Sequence, residues 1–182
     1  LQIGSAELQE PDELRVTDIN YFSKEYTIGK GNNLRKLRLS LGTPFVRWTF
    51  PGRRSVELNS DGNSLRYGAI PQKNGIKIID FRKQSYESGR DGAWSAPWML
   101  LFSGSSTPSA PLLVVFDHPV AKITGRGGNA GVSALQITAK NSLDRISAGY
   151  LFGAKKVATD GWEKKLPSEI VAQAERILQP AL

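Results

Sequence analysis

The chain's sole histidine, His118, follows an acid, Asp117. An imidazole titrates near neutral pH and can act as acid, base or metal ligand, so this pair is the first place to look for chemistry. Adjacent strand residues point to opposite faces, however, and do not chelate together. There is no second histidine and no cysteine to complete a zinc site. Serines are plentiful, yet no Gly-x-Ser-x-Gly elbow occurs to build a triad. Asp117-His118 is therefore read as a turn beside a central strand, with the imidazole hydrogen-bonded locally. Histidine-based acid–base catalysis is the competing reading.

Four acids, Asp80, Glu87, Asp91 and Asp117, flank the loops around the most apolar part of the chain. Glycosidases need two carboxyls at a set separation. Sequence spacing does not fix that distance, and solvated loop acids and turn caps are the expectation. Trp48, Trp94, Trp98 and Trp162 are more informative, because a flat ring suits the CH face of a sugar. Trp48 and Trp98 sit in strand patterns and are expected in the core. Trp94 lies in an irregular stretch, 82–97, beside Arg90 and Asp91. It is the candidate stacking residue, with Arg90 and Asp91 bonding to hydroxyls and His118 as a fourth candidate carbohydrate contact. A loop tryptophan plugging the open end of a sandwich competes with this reading.

Two further motifs resolve towards structure. Gly125-Arg126-Gly127-Gly128 invites a phosphate, but the phosphate fingerprints need a helix after the glycines. Here β-patterned sequence stands on both sides, so a strand connector is expected. Ser60-Asp61-Gly62-Asn63 opens like a calcium loop yet lacks the downstream glutamate. Asp-Gly between two β-patterned runs predicts a hairpin. No metal site and no cofactor is expected.

The elements that must position these residues are mostly strands. Trp98–Phe102 and Leu112–Phe116 are apolar without alternation, too short for ordinary helices, and bounded by turn residues. That pattern predicts strands covered on both faces. The connector between them, Ser103 to Pro111, predicts an exposed loop. Leu14–Ile19 alternates, and Leu37, Leu39 and Leu41 alternate with Lys36, Arg38 and Ser40, giving a strand with a basic outer face. Further strands are expected at 45–50, 56–58, 65–67, 76–81, 132–138 and 146–152, with a turn over 71–75. Only Ser168–Gln179 has helical spacing, through Ile170, Val171, Ala174, Ile177 and Leu178. Pro167 suits its start and Pro180 its end.

With 182 residues the chain can bury a substantial core without staples. Absence of cysteine excludes disulfides and thiolate metal sites. No run is apolar enough to span a bilayer as a helix, and no signal-peptide pattern opens the chain. A chain that opens on Leu1 and closes just after a lone helix is expected to be processed, or a piece of a longer one. The net charge is +7, and residues 30–90 carry thirteen basic side chains against four acids. Such a surplus attracts polyanions. Because the charges are dispersed among strand residues, solvent-facing positions are the expectation.

The order of parts resembles the N-terminal supersandwich, galactose-mutarotase-like domain of multidomain glycoside hydrolases and phosphorylases. Trp98–Phe102, Leu112–Phe116 and the passage from Trp162 to Gln179 carry the likeness. The resemblance implies an all-β fold, a large antiparallel β-sandwich, supersandwich-like, with one C-terminal helix. It implies a sandwich domain over 1–166 and a helix over 167–182 that links to a following helical catalytic domain. The function it implies is that of an accessory domain supporting or capping a sugar-binding active site, with catalysis outside this chain. Its partners would be carbohydrate and the linked domain, not nucleic acid, and a secreted or periplasmic location is favoured. The alternatives are a stand-alone epimerase, lyase or hydrolase on the same scaffold, and a binder of acidic polymers through the basic face.

Overall fold

The computed structural model describes residues 2–3, 14–17, 23–28, 32, 34–41, 45–49, 55–59, 65–72, 75–82, 86–87, 96–104, 106–116, 122–126, 134–138 and 145–179. The described residues are mostly strand, in two antiparallel sheets with one C-terminal helix, consistent with an all-β, sandwich-like fold. One sheet has seven strands in the order β2 (Leu14–Thr17), β5 (Phe45–Thr49), β14 (Arg145–Tyr150), β11 (Leu112–Phe116), β10 (Trp98–Ser103), β7 (Leu65–Gln72) and β8 (Gly75–Asp80). The other has five: β1 (Gln2–Ile3), β6 (Ser55–Asn59), β13 (Ala134–Thr138), β12 (Lys122–Arg126) and β9 (Tyr86–Glu87). A separate hairpin joins β3 (Ser23–Ile28) to β4 (Arg35–Ser40).

The two unbroken apolar runs are the middle of the seven-stranded sheet. They pair with each other, Trp98 opposite Val115 and Leu100 opposite Leu113. All of β11 is buried, as are the first five residues of β10. Antiparallel partners share a face, so Trp98, Leu100, Phe102, Leu113 and Val115 project to one side with Tyr67 and Ala69. Met99, Leu101, Val114 and Phe116 project to the other side and are equally buried. A strand covered on both faces has no position where a polar side chain is free of cost, which is why the runs do not alternate.

The Trp98 side is covered by three pieces. Leu37 and Leu39 enter from β4, whose alternate residues Lys36 and Arg38 stay exposed, as the alternation predicted. The hairpin is tied to the end of β14 by a bridge between Leu41 and Leu151 and by the Phe152 N–H donating to the Ser40 carbonyl at 2.9 Å. Trp162, in a single 3-10 turn over Trp162–Lys164, fills the next position. Helix α1 (Pro167–Leu178) closes the layer with Ile170, Ala174, Ile177 and Leu178. Proline at the first helical position starts it, and the Glu169 carboxylate accepts from the Leu166 N–H at 3.3 Å.

Two expectations are corrected. Asp61-Gly62 does not join a hairpin: β6 pairs with β1 and β13, and β7 with β10 and β8, in different sheets. Both edges of each strand are occupied, so the connection crosses between sheets. Pro71 and Gln72 belong to β7 and not to a turn, with Pro71 opposite Ile76. Proline is tolerated there because the pairing of β7 with β10 runs only from Leu65 to Ala69, leaving no partner that needs its missing N–H. Gly125 and Arg126, expected in a strand connector, lie on β12 itself, antiparallel to β13, while Gly127 and Gly128 lie outside the described residues.

A cationic groove and an ion-pair cluster as candidate functional sites

Arg90, Asp91, Trp94 and His118, the residues expected to meet carbohydrate, lie outside the described residues, as does Asp117. Of the other loop acids, Glu87 falls on β9, opposite Lys122, and Asp80 ends β8. Trp98 is fully buried, as expected for a core ring. The described residues contain no group of three or more His, Cys, Asp or Glu side chains able to hold a metal. Among them, no helix is long and apolar enough to cross a membrane.

Asp80 does not face open solvent as a lone acid. It clamps Arg82 in a two-point ion pair, with Nε to Oδ1 at 3.1 Å and Nη2 to Oδ2 at 2.8 Å. The Arg82 backbone N–H also donates to Oδ1 at 3.0 Å, fixing the exit of β8 into the 82–97 stretch. The hydrogen bond to Asp80 pushes the Arg82 guanidinium above its ordinary pKa.

A second ion pair lies close by. Arg66 on β7 donates to Glu163 in the 3-10 turn at 3.0 Å, and its guanidinium carbon stands 5.2 Å from the Tyr67 ring centre. A hydrogen bond from its own backbone, then the charges of Arg66 and Arg82, hold Glu163 below the usual glutamate range. Burial pushes the Tyr67 phenol up; Asp80 and Glu163 add to this and the two arginines oppose it. Trp162 packs between Tyr67 and Phe102, at ring-centre distances of 5.3 and 5.1 Å. The cluster thus latches the C-terminal segment to the sheet end. Its charges are spent on each other, so it reads as a structural clasp.

Four members of the basic surplus are similarly engaged. Lys36 and Arg38 both reach Glu25, at 3.5 and 3.7 Å, Arg66 has Glu163 and Arg82 has Asp80. Exposed pairs of this kind are worth about 0–1 kcal/mol. They do reduce the field that residues 30–90 present.

The open cationic surface is elsewhere. After β14 the chain runs through Lys155, Lys156 and Val157, where Ser109 and Val157 exchange backbone hydrogen bonds of 3.0 and 2.9 Å. That bridge holds this segment in place against the β10–β11 connector, whose Ser106, Thr107 and Pro108 are exposed as predicted. The second wall is the end of α1, with Gln173, Arg176 and Ile177, and Gln179 just beyond. Between the walls lies an open groove of about 700 Å³, within the size range of ligand sites. No acid is among its described lining residues. Lys155, Lys156 and Arg176 have no ion-pair partner among the described residues.

Sequence reasoning gave no role to Arg176, Lys155 or Lys156. The lysines lie twenty residues from Arg176, and only the fold of the intervening turn unites them. Comparison with family models, with curated proteins and with solved structures finds no match to this chain.

Proposed function

We propose that the chain is the accessory β-sandwich domain of a carbohydrate-active enzyme, glycoside hydrolase-like, which supports or caps a sugar-binding active site carried by a linked helical domain. One observation carries the proposal. The three stretches that suggested a supersandwich domain, β10, β11 and the Trp162–Gln179 passage, meet in a single buried cluster. Trp98, Leu100, Phe102, Leu113 and Val115 form its floor, and Trp162, Ile170, Ala174, Ile177 and Leu178 its lid. Fold alone does not give function. The sugar role rests on the resemblance and on candidate contacts at Arg90, Asp91, Trp94 and His118.

The test is retention of the purified chain on a panel of immobilised polysaccharides, with turnover assayed on whatever is retained. Retention of at least one saccharide class without turnover is expected, weakened by Trp94→Ala. Hydrolysis, elimination or epimerisation of a retained sugar, abolished by His118→Ala, would replace the accessory role with the stand-alone enzyme. No retention of any saccharide would remove the carbohydrate role.

A further inference from the structure

We infer that the groove between residues 155–157 and the end of α1 binds an acidic saccharide, one carrying carboxylates on its rings. The inference rests on the carbohydrate reading and assigns it a site and a ligand class. Three observations lead to it. First, two lysines and an arginine converge from separate segments on one groove, with no acid among its described lining residues. Arg176 alone could be a helix-end cation stabilised by the C-terminal carbonyls. Lys155 and Lys156 belong to another segment, where no such role exists. Second, Gln173 and Gln179 offer amides that both donate and accept, which is what sugar hydroxyls require. Val157 and Ile177 add an apolar surface for ring CH groups. Third, no aromatic ring lines the groove among the described residues. Single-stranded nucleic acid is held by base stacking on such rings as well as by charge, whereas a uronate can be held by its carboxylates and hydroxyls alone, which lysine, arginine and glutamine match. A guanidinium takes a carboxylate through two parallel hydrogen bonds, while lysines act as point charges.

Both walls are fixed, one by the Ser109–Val157 bridge and the other by the buried face of α1. The backbone that carries the cations is therefore held in place, and their side chains are exposed, so their removal leaves the core intact.

The experiment is calorimetric titration of the whole chain with a hexamer of galacturonate, a neutral hexose hexamer, a single-stranded hexanucleotide and inorganic phosphate. The galacturonate hexamer should bind at least about tenfold more tightly than the neutral one, as expected when hydrogen bonds to charged groups are added. The double variant K156Q/R176Q should lose about tenfold or more, while Lys36→Gln, on the β4 surface, should stay within about twofold. Amide side-chain resonances of Gln173 and Gln179 should move on titration with the uronate, and with the neutral sugar only at correspondingly higher concentration. Equal binding of the uronate by wild type and double variant overturns the groove and leaves the carbohydrate reading standing. Binding of the hexanucleotide or of phosphate as tight as the uronate shows a general anion site and overturns the ligand class. Failure of both hexamers to bind overturns the inference, and the polysaccharide panel then decides separately whether any sugar role survives.

Discussion

Gly68 shows how little slack the central sheet has. It lies on β7 opposite Leu101, under the buried ring of Phe81. A methyl group at this position would stand 2.7 Å from Cζ of Phe81 and 3.4 Å from the Met99 sulfur. The buried ring would have to shift, so Gly68→Ala should cost about 1–3 kcal/mol. Denaturant melts of Gly68→Ala, Phe81→Leu and the double variant check this. The double variant should be less damaged than the sum of the two singles, and strict additivity would mean the ring does not cover the glycine. Glu163 is the complementary case, a charge and not a shape. Its carboxyl titrates below its ordinary value in the folded chain, so the stability it adds is present above about pH 4.3, the unfolded value, and is lost as pH falls through the folded value. Glu163→Gln should therefore lower Tm at pH 7, and the gap from wild type should close as the pH falls below the folded value. A gap that persists in acid would assign the effect to packing and not to the Arg66 pair.

Helix α1 makes the same point for an element. Ala174 is fully buried between the helix and the sheet, whereas Ala172, on the same helix, is exposed. Ala174→Asp buries an unpaired charge and should abolish cooperative folding, while Ala172→Asp should change stability by no more than about 0.5 kcal/mol. Thermal unfolding followed by far-UV circular dichroism separates the two. The helix was legible in the sequence because Ile170, Ala174, Ile177 and Leu178 keep one face at helical spacing, and β10 and β11 because they lack any polar break. The Asp61-Gly62 hairpin was misread for an equally physical reason: a turn signal reports local backbone preference, and whether the flanking strands pair is decided by which sheet buries them. The groove was illegible because Lys155, Lys156 and Arg176 meet only after the chain turns at Gly161, whose φ of 80° is open to glycine at little cost. The sequence says that a turn is possible there, and not where it sends the helix.

At the scale of the molecule, the question is whether the C-terminal segment is part of the sandwich or an appendage to it. A boundary after residue 166 would leave the strands stable without α1. The packing argues otherwise. Burial of each of Ile170, Ile177 and Leu178 is worth about 1.5–3 kcal/mol, and loss of a buried tryptophan such as Trp162 about 3–5 kcal/mol. Together these rival the whole net stability of a typical domain, about 5–15 kcal/mol. Removing residues 161–182 would also bare Tyr67 and Phe102, whose rings pack on Trp162, leaving an apolar patch of the kind that drives aggregation. The chain ending at Asp160 should therefore show no cooperative melt near the full-length Tm and should bind a hydrophobic dye at room temperature. A truncated chain that melts like the full one, dye-free, would make the helix an appendage. The Arg66–Glu163 clasp and the groove wall would then be features of a linker, and the sugar-acid site would have to be sought on the strands alone.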